Sequence, residues 1–389
     1  MMIVYADCNA TTPIDYDVYK AMLPYIDDQF GNPSSIHRYG QITRSAIDNA
    51  RRQVAELIGC SAGEVIFTSG GTESDNLAIK GFCFANKDKG NHIITSSIEH
   101  SAVLDTCKFL EAHGFDVTYL PVDQDGIVDL DALQKSIKNS TILISIMTAN
   151  NETGAIQPVN QIGEIAREKG ICFHADAVQS AGKIPINVNE IKADLLAISS
   201  HKIYGPKGVG ALYIRNGIKI EKQLHGGHQE YGIRGGTENT PAIVGFGKAC
   251  EIAGKDMEIN ARNIKNVVDF FISRLSNKVS DFKIHGNPEK RLFNTVNISF
   301  AGIEGESLLL SLDLKGIMVS TGSACMSGST DSSYVLQAMG IDPALAKASI
   351  RFSFGKYSYE HDMGYIANRL AESVEQLRNL SPSYRNENK

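Results

Sequence analysis

Residues 171–208 read ICFHADAVQSAGKIPINVNEIKADLLAISSHKIYGPKG. Two short apolar runs, ICFHADA and DLLAISS, end in polar residues and do not alternate apolar with polar, the pattern of strands covered on both faces in a mostly parallel sheet. Outward from this stretch, EVIFTS, HIITSS, VTYLPV, TILISIM and GALYIR repeat the theme between about residues 40 and 215. Helical strings separate them, among them QITRSAIDNARRQVAELIG, ESDNLAIKGF, SAVLDTCKFLEAHG and NQIGEIAREKG. Gly59, Gly114 and Gly170 each follow a periodic helical stretch where a left-handed cap is wanted. The alternation predicts an α/β, doubly wound, mostly parallel sheet, with ligands gathered at the C-terminal ends of its strands. From about 241 to 279 the pattern turns long and helical, and beyond it TVNISFA, IMVSTG and SIRFSFG alternate with helices such as GESLLLSLDLKG and a last one from about 360. That predicts a second, smaller α/β domain. The polar tail SPSYRNENK is expected to fray.

The chain has 389 residues, enough for two or three domains with substantial cores, and a formal net charge of −6. Lys and Arg are scattered, so the sequence offers no electrostatic footprint for nucleic acid or an anionic membrane surface. The opening MMIVYADCNATTP lacks a basic segment followed by an apolar one, and no apolar run approaches the roughly 20 residues that span a bilayer. A soluble, cytoplasmic protein is expected. Its 7 cysteines are an odd number with no CxxC pair, which argues against a disulfide framework or zinc cluster. Cys60, Cys83, Cys107, Cys172 and Cys250 lie in apolar or helical contexts where a thiol behaves as a small hydrophobe.

The chemistry concentrates at strand ends. His100 follows HIITSSIE, Asn151 follows ILISIMTAN, Asp176 and Gln179 follow ICFH, and Ser199, His201 and Lys202 follow DLLAI. Polar groups at successive strand exits of such a sheet suggest one shared crevice. Lys202 lies 26 residues after Asp176. A lysine amine can condense with an aldehyde and a carboxylate can keep a pyridine nitrogen protonated, so the pair suggests covalently held pyridoxal phosphate; a surface lysine after a strand is the plainer alternative. In FTSGGTESDNLAIKG (67–81), glycines and hydroxyls precede a helix, which suits a phosphate, with Thr72 read as the helix cap. An ordinary cap without ligand fits the same string. There is no GxxxxGK[ST], no GxGxxG opening a helix after the first strand, no GxSxG and no HExxH, and HGGH at 225–228 lacks a third ligand.

These motifs, taken in order, resemble those of the pyridoxal-phosphate cysteine desulfurases of the nitrogen-fixation and iron-sulfur-cluster type, a class V aminotransferase-like group, over nearly the whole chain. The matching strings are DCNATTP, GNPSS (31–35), GGTESDNLAIKG, EH (99–100), NNETG (150–154), HADAVQ, SSHKIYGPKG, RGGTEN (234–239), STGSAC (320–325) and SIRFS (349–353). The resemblance implies fold type I, with a large cofactor-binding domain over 13–256 and a small domain made of 1–12 with 257–389. It implies a homodimer, L-cysteine as substrate, and alanine plus a Cys325 persulfide as products. By position, Lys202 resembles the Schiff-base lysine, Asp176 the pyridinium partner, Gln179 the residue bonding the phenolic oxygen and His100 the stacking histidine that also moves protons. Gly71, Thr72, Ser199 and His201 match the phosphate cup, with Thr237 reaching in from the other subunit. Asn151 and Arg351 match the residues holding the substrate carboxylate, with Asn151 also beside the cofactor and Asn32 assisting.

Cys325 matches the nucleophile, and its neighbours Gly322, Ser323, Ala324, Ser327, Gly328 and Ser329 are small, so a mobile, exposed thiol is expected there. The sulfur would pass to an acceptor protein such as an iron-sulfur scaffold; no stable metal site is expected beyond a transient contact of Cys325 with a cluster. Three departures stand out: Cys8 where Asn is usual, Met326 after the nucleophile, and Gly235 in place of a common Ser. Cys8 would add a second oxidisable thiol. The alternatives are a selenocysteine lyase or aminotransferase on the same cofactor, and a sulfur-relay scaffold without turnover.

Overall fold

The computed structural model describes residues 2–322, 332–381 and 384. Short strand β1 (Val4–Tyr5) and helices α1 (Tyr16–Ile26) and α2 (Arg38–Ile58) open the chain. There follow β2 (Val65–Thr68), α3 (Gly71–Ala85), β3 (His92–Ser96), α4 (Ser101–Glu111), β4 (Asp116–Leu120), α5 (Leu130–Ser136), β5 (Thr141–Ser145), α6 (Val159–Lys169), β6 (Cys172–Asp176), β7 (Leu195–Ser199) and β8 (Gly210–Ile214). The long α7 (Thr240–Ser276) leads to β9 (Phe282–His285), β10 (Thr295–Phe300), α8 (Gly305–Asp313), β11 (Ile317–Met318), α9 (Tyr334–Ala338), α10 (Pro343–Lys347), β12 (Ser349–Ser353) and α11 (Glu360–Leu380).

The large sheet runs β2-β8-β7-β6-β5-β3-β4. Strands β7, β6, β5, β3 and β4 are mutually parallel, whereas β8 is antiparallel to both β7 and β2. Every residue of β3, β5, β6 and β7 is buried, as their unbroken apolar runs require once helices cover both faces. One face packs against α2, α6 and the start of α7 through Val54, Ile58, Ile162 and Phe246. The other packs against α3 and α4 through Leu77, Ile79, Val103 and Leu110. Gly59 and Gly170 end α2 and α6 in the left-handed conformation read from the sequence.

A second, antiparallel sheet has the order β12-β10-β9, and β1 pairs in parallel with β11 beside it. Its core collects Val296, Ile298, Ile350, Phe352, Phe271 and Leu370. Helix α7, at 37 residues, is about 55 Å long at 1.5 Å per residue. Its first turns lie in the core of the large sheet and its last turns in that of the small one, so one rigid rod joins the two.

Candidate active site

Strand β7 ends at Ser199 and passes directly into a tight 3-10 turn, Ser200–Lys202. The turn demands glycine at 205, because a Cβ there would sit 2.0 Å from Ser200 Oγ. It presents the Lys202 amine to the N-terminal segment, where Nζ donates to the carbonyl of Asn9 at 2.5 Å and of Ala10 at 2.9 Å. Thr12 closes the turn from outside, its Oγ1 donating to His201 O and accepting from Tyr204 N–H.

The neighbouring β6 ends at Asp176, a buried carboxylate whose Oδ1 accepts the Val178 N–H at 2.8 Å. Burial raises its pKa, against the opposing pull of that hydrogen bond and of the His100 and Lys202 charges. Two residues earlier on the same strand face, His174 accepts or donates at Ser145 Oγ (2.9 Å) and brings Nε2 to 3.5 Å from Asp75 Oδ1 on α3. Burial drives His174 down to about 3, so its ring is neutral. Asp75 is held well above the ordinary carboxylate range by burial and then by the negative charges of Asp176 and Glu99. Reading strand ends alone missed Asp75 and His174. Their only signals were spacing: His174 two residues before Asp176, and Asp75 one helical turn after Gly71.

Strand β2 is followed by Ser69, Gly70 and α3. Thr72 is not the cap expected of it: Gly70 takes the N-cap position and α3 begins at Gly71, which places Thr72 in the first turn. The Thr72-to-Asp75 string is therefore no capping box; Glu73 accepts the Ser69 N–H and pairs with Arg234 instead. The first-turn N–H groups have no acceptor within the helix, so the end keeps the polarity that suits a phosphate. A Cβ on Gly71 would approach Val178 Cγ2 to 2.8 Å. Beside this end lies Ser199, whose Cβ would stand 3.7 Å from a Cβ on Gly71 and whose hydroxyl is buried without a hydrogen-bond partner. His201 reaches Thr11 Oγ1 at 3.1 Å, and burial followed by the Lys202 and Lys207 charges lowers it to about 4.

On the side of the smaller sheet, β12 carries the buried Arg351. Its Nη2 donates to Asp7 Oδ1 at 2.6 Å and Nη1 to Asn151 O at 3.1 Å, while Nε has no partner. The Asn151 Oδ1 is likewise buried and unpaired. His100 caps α4, its Nδ1 accepting the Ala102 N–H, which assigns the ring proton to Nε2. Gln179 donates through Nε2 to Asn9 O (3.1 Å) and accepts at Oε1 from Lys183 (3.1 Å), an amine that burial and the Lys202 charge lower to about 7. Lys183 and Asn9 were not singled out in the sequence. Asn9 is the hub, its side chain also donating to Asn151 O and Thr295 Oγ1 and accepting from Asn294.

Lys202, Gln179 and Asn151 thus bond to one buried asparagine, Arg351 joins them through the Asn151 carbonyl, and Asp176 feels the Lys202 charge. Asn32 lies in an exposed loop with Oδ1 on Ser34 N–H, and Thr237 is exposed before α7; among the described residues no hydrogen bond joins either to that group. Cys325 lies outside the described residues. Cys8 differs from expectation: it is buried, and its thiol is pushed up to about 12 by burial, against the opposing charge of Lys183, which makes it a poor oxidisable group.

A half-buried lysine, a buried carboxylate on the adjacent strand and a glycine-serine cradle at a helix N-terminus define a pyridoxal-phosphate enzyme of fold type I. Residues 4–366 match the family model described as aminotransferase class-V. The chain is 52% identical over 379 residues to the cysteine desulfurase IscS of Dictyoglomus turgidum, covering 97% of this chain and 96% of that one. It is equally, 52%, identical to the protein of the same name from Methanosarcina thermophila, covering 97% and 94%. Among solved structures, a NifS-like protein superposes with a TM-score of 0.91 at 39% identity, over 97% of this chain and 100% of that one. A structure titled SspA in complex with cysteine gives 0.82 at 38% identity, over 91% and 99%. The chain belongs to the class-V aminotransferase family and, within it, to the pyridoxal-phosphate-dependent cysteine desulfurases.

Proposed function

We propose that this enzyme converts L-cysteine to L-alanine and leaves the sulfur as a persulfide on Cys325. The observation that carries the reading is the pair of buried polar atoms without partners, Asn151 Oδ1 and Arg351 Nε, on residues joined to the Asn9 hub that receives Lys202, with the unpaired Ser199 Oγ beside Gly71 at the start of α3. They fit a phosphate at one end and a carboxylate at the other. Lys202 would hold pyridoxal phosphate through its aldehyde carbon, Asp176 at the ring nitrogen, Gln179 at the phenolic oxygen, His100 over the ring, and Gly71, Thr72, Ser199 and His201 at the phosphate. When bound, this cofactor supplies an electron-withdrawing ring through which charge developing at the substrate Cα is delocalised.

The chain's own groups do the rest. Burial and the neighbouring negative charges raise the Asp75 pKa and so disfavour a second anion beside Asp176. Arg351 offers its unpaired Nε edge while its Nη1 donates to the Asn151 backbone carbonyl, and Asn151 Oδ1 is a second unpaired buried group, so the two residues would orient the substrate carboxylate and ammonium together. Lys202, when not bonded to the cofactor, has a resting place on the Asn9 and Ala10 carbonyls and serves as the base that takes the Cα proton. The Cys325 thiolate attacks the substrate sulfur; the S–S bond forms as the Cβ–S bond breaks, the electron pair passes to Cβ, and Cβ takes a proton to give alanine.

Several features support a homodimer. Tyr16, Tyr19, Leu23 and Ile26 on α1, with Phe30 and Tyr39 nearby in sequence, are exposed apolar side chains that a second copy would cover. Thr237, exposed in the single chain, would then reach the partner's phosphate site, and Asn32 the substrate region. The persulfide would pass to an acceptor protein such as an iron-sulfur scaffold, in the cytoplasm; no helix among the described residues is long and apolar enough to cross a membrane. The test supplies L-cysteine to the holoenzyme and follows alanine and bound persulfide beside Cys325→Ala and Lys202→Ala. Release of alanine and sulfide by Cys325→Ala at the wild-type rate would refute the persulfide route.

A further inference from the structure

One buried carboxylate is left without a task by the chemistry above. Glu152 follows Asn151 in the loop after β5 and is 1% exposed. Its backbone is fixed: the Glu152 and Thr153 N–H groups both donate to Asn150 Oδ1, at 2.8 and 3.0 Å, and Asn150 Nδ2 in turn donates to Ile98 O. Its carboxylate crosses to the smaller sheet's side of the molecule, where Ser333 Oγ donates to Oε2 at 2.5 Å. Ser333 is the N-cap of α9, and the same hydroxyl accepts the Leu336 N–H. That helix is seated on the large domain, with Val335, Leu336 and Met339 packed on Ile98 and Met147.

The same carboxylate also lies against Gly322. A Cβ at 322 would stand 2.1 Å from Glu152 Oε2 and 2.8 Å from its carboxyl carbon, so any larger residue there would displace that carboxylate. Gly322 and Ser333 bracket the stretch that contains Cys325. Both ends of that stretch therefore meet on one oxygen, carried by the residue next to Asn151. Burial raises the Glu152 pKa, while the Ser333 hydrogen bond and the charges of Arg351 and His100 lower it.

We propose that Glu152 is a positioning residue for sulfur transfer: by holding Gly322 and Ser333 against the loop that carries Asn151, it fixes where the Cys325 segment leaves and rejoins the fold relative to the bound substrate. It touches neither cofactor nor substrate in this role. The inference rests on Cys325 being the sulfur acceptor. It separates two stages of the reaction, because loosening the bracket leaves the chemistry at Cα intact and slows only the attack on the substrate sulfur.

The experiment mixes holoenzyme with L-cysteine and records two rates, the change in cofactor absorbance and the appearance of persulfide on Cys325. For Glu152→Ala, persulfide formation should fall by about tenfold or more, while the absorbance change and KM stay within about twofold of wild type, a misplacement effect. Glu152→Gln, whose amide oxygen can still accept from Ser333, should recover persulfide formation to within about threefold. Equal slowing of both rates in Glu152→Ala, no slowing of either, or a Glu152→Gln as impaired as the alanine variant would overturn the proposal. If Cys325→Ala, run alongside, turned over like wild type, the sulfur-acceptor reading itself would fail, independently of the Glu152 result.

Discussion

Asp7→Asn is expected to make the folded enzyme less stable and its hold on L-cysteine tighter. Asp7 and Arg351 form an ion pair at 2.6 Å with side chains only 17% and 3% exposed, so the asparagine leaves a buried guanidinium without its anion. Breaking such a pair costs about 3 kcal/mol. A substrate carboxylate arriving on the other side of the guanidinium stands ~6 Å from the Asp7 carboxylate, and at an effective dielectric of ~20 the two repel by about 3 kcal/mol. Allowing half of that for relaxation and solvent, the variant should lower KM about tenfold with kcat little changed. Urea unfolding of the unliganded protein and steady-state alanine production measure the two effects separately. A raised KM would refute the competition and make Asp7 an orienting group for Arg351; an unchanged urea midpoint would refute the buried pair as a source of stability.

Lys183→Met should gain stability over wild type progressively as pH falls from 10.5 to 7. The folded-state pKa of Lys183 is depressed to about 7, so the unfolded chain binds the extra proton throughout that window, at a wild-type cost on the order of 4 kcal/mol at its lower end; a difference between the two urea midpoints that does not change with pH would exclude a buried neutral amine. Asp75→Asn replaces a group whose folded pKa is raised, so its stability relative to wild type should grow as pH climbs above the ordinary carboxylate value of 3.8. At pH 7 the variant should be no less stable than wild type, and a loss of more than about 2 kcal/mol would mean that Asp75 is ionised. Gly205→Ala should cost about 1–3 kcal/mol and reduce cofactor loading, because the new Cβ would lie 2.0 Å from Ser200 Oγ at the base of the Lys202 turn; the absorbance-to-protein ratio after reconstitution checks it, and full loading would show that the turn yields without moving the lysine.

The parts of this site that could be read along the chain are those where structure and sequence share an axis. A parallel strand is a contiguous apolar run, so the polar group after it must sit at the sheet's C-terminal edge, and His100, Asn151, Asp176 and Lys202 were placed by that rule alone. Thr72 was misassigned because a capping string records which side chains are able to cap, not which backbone turns first: Gly70, at φ 155°, makes the turn that a threonine would resist. Cys8 was misjudged because its burial comes from residues far along the chain, Gly355 among them, whose Cβ would meet its sulfur at 2.8 Å. Contacts of that kind carry no local periodicity. The Lys202 bond to Asn9 spans 193 residues and the Arg351 bond to Asp7 spans 344.

Those long contacts fall on one short segment, residues 7–12, and the consequence is mechanistic. The groups assigned to the cofactor hang from the large sheet, whereas Arg351 belongs to the small one, and nothing in either strand pattern sets their separation. Asn9 spans the gap: its carbonyl receives Lys202 and Gln179, its amide nitrogen donates to Asn151 O and Thr295 Oγ1, and its backbone N–H donates to Ser353 on β12. Asp7, two residues earlier, holds Arg351 itself. A displacement of the small sheet therefore alters the surroundings of Lys202 and Arg351 together, through a segment only a few residues long. Lys202 and Arg351 are thereby kept in register by the N-terminus and not by either sheet.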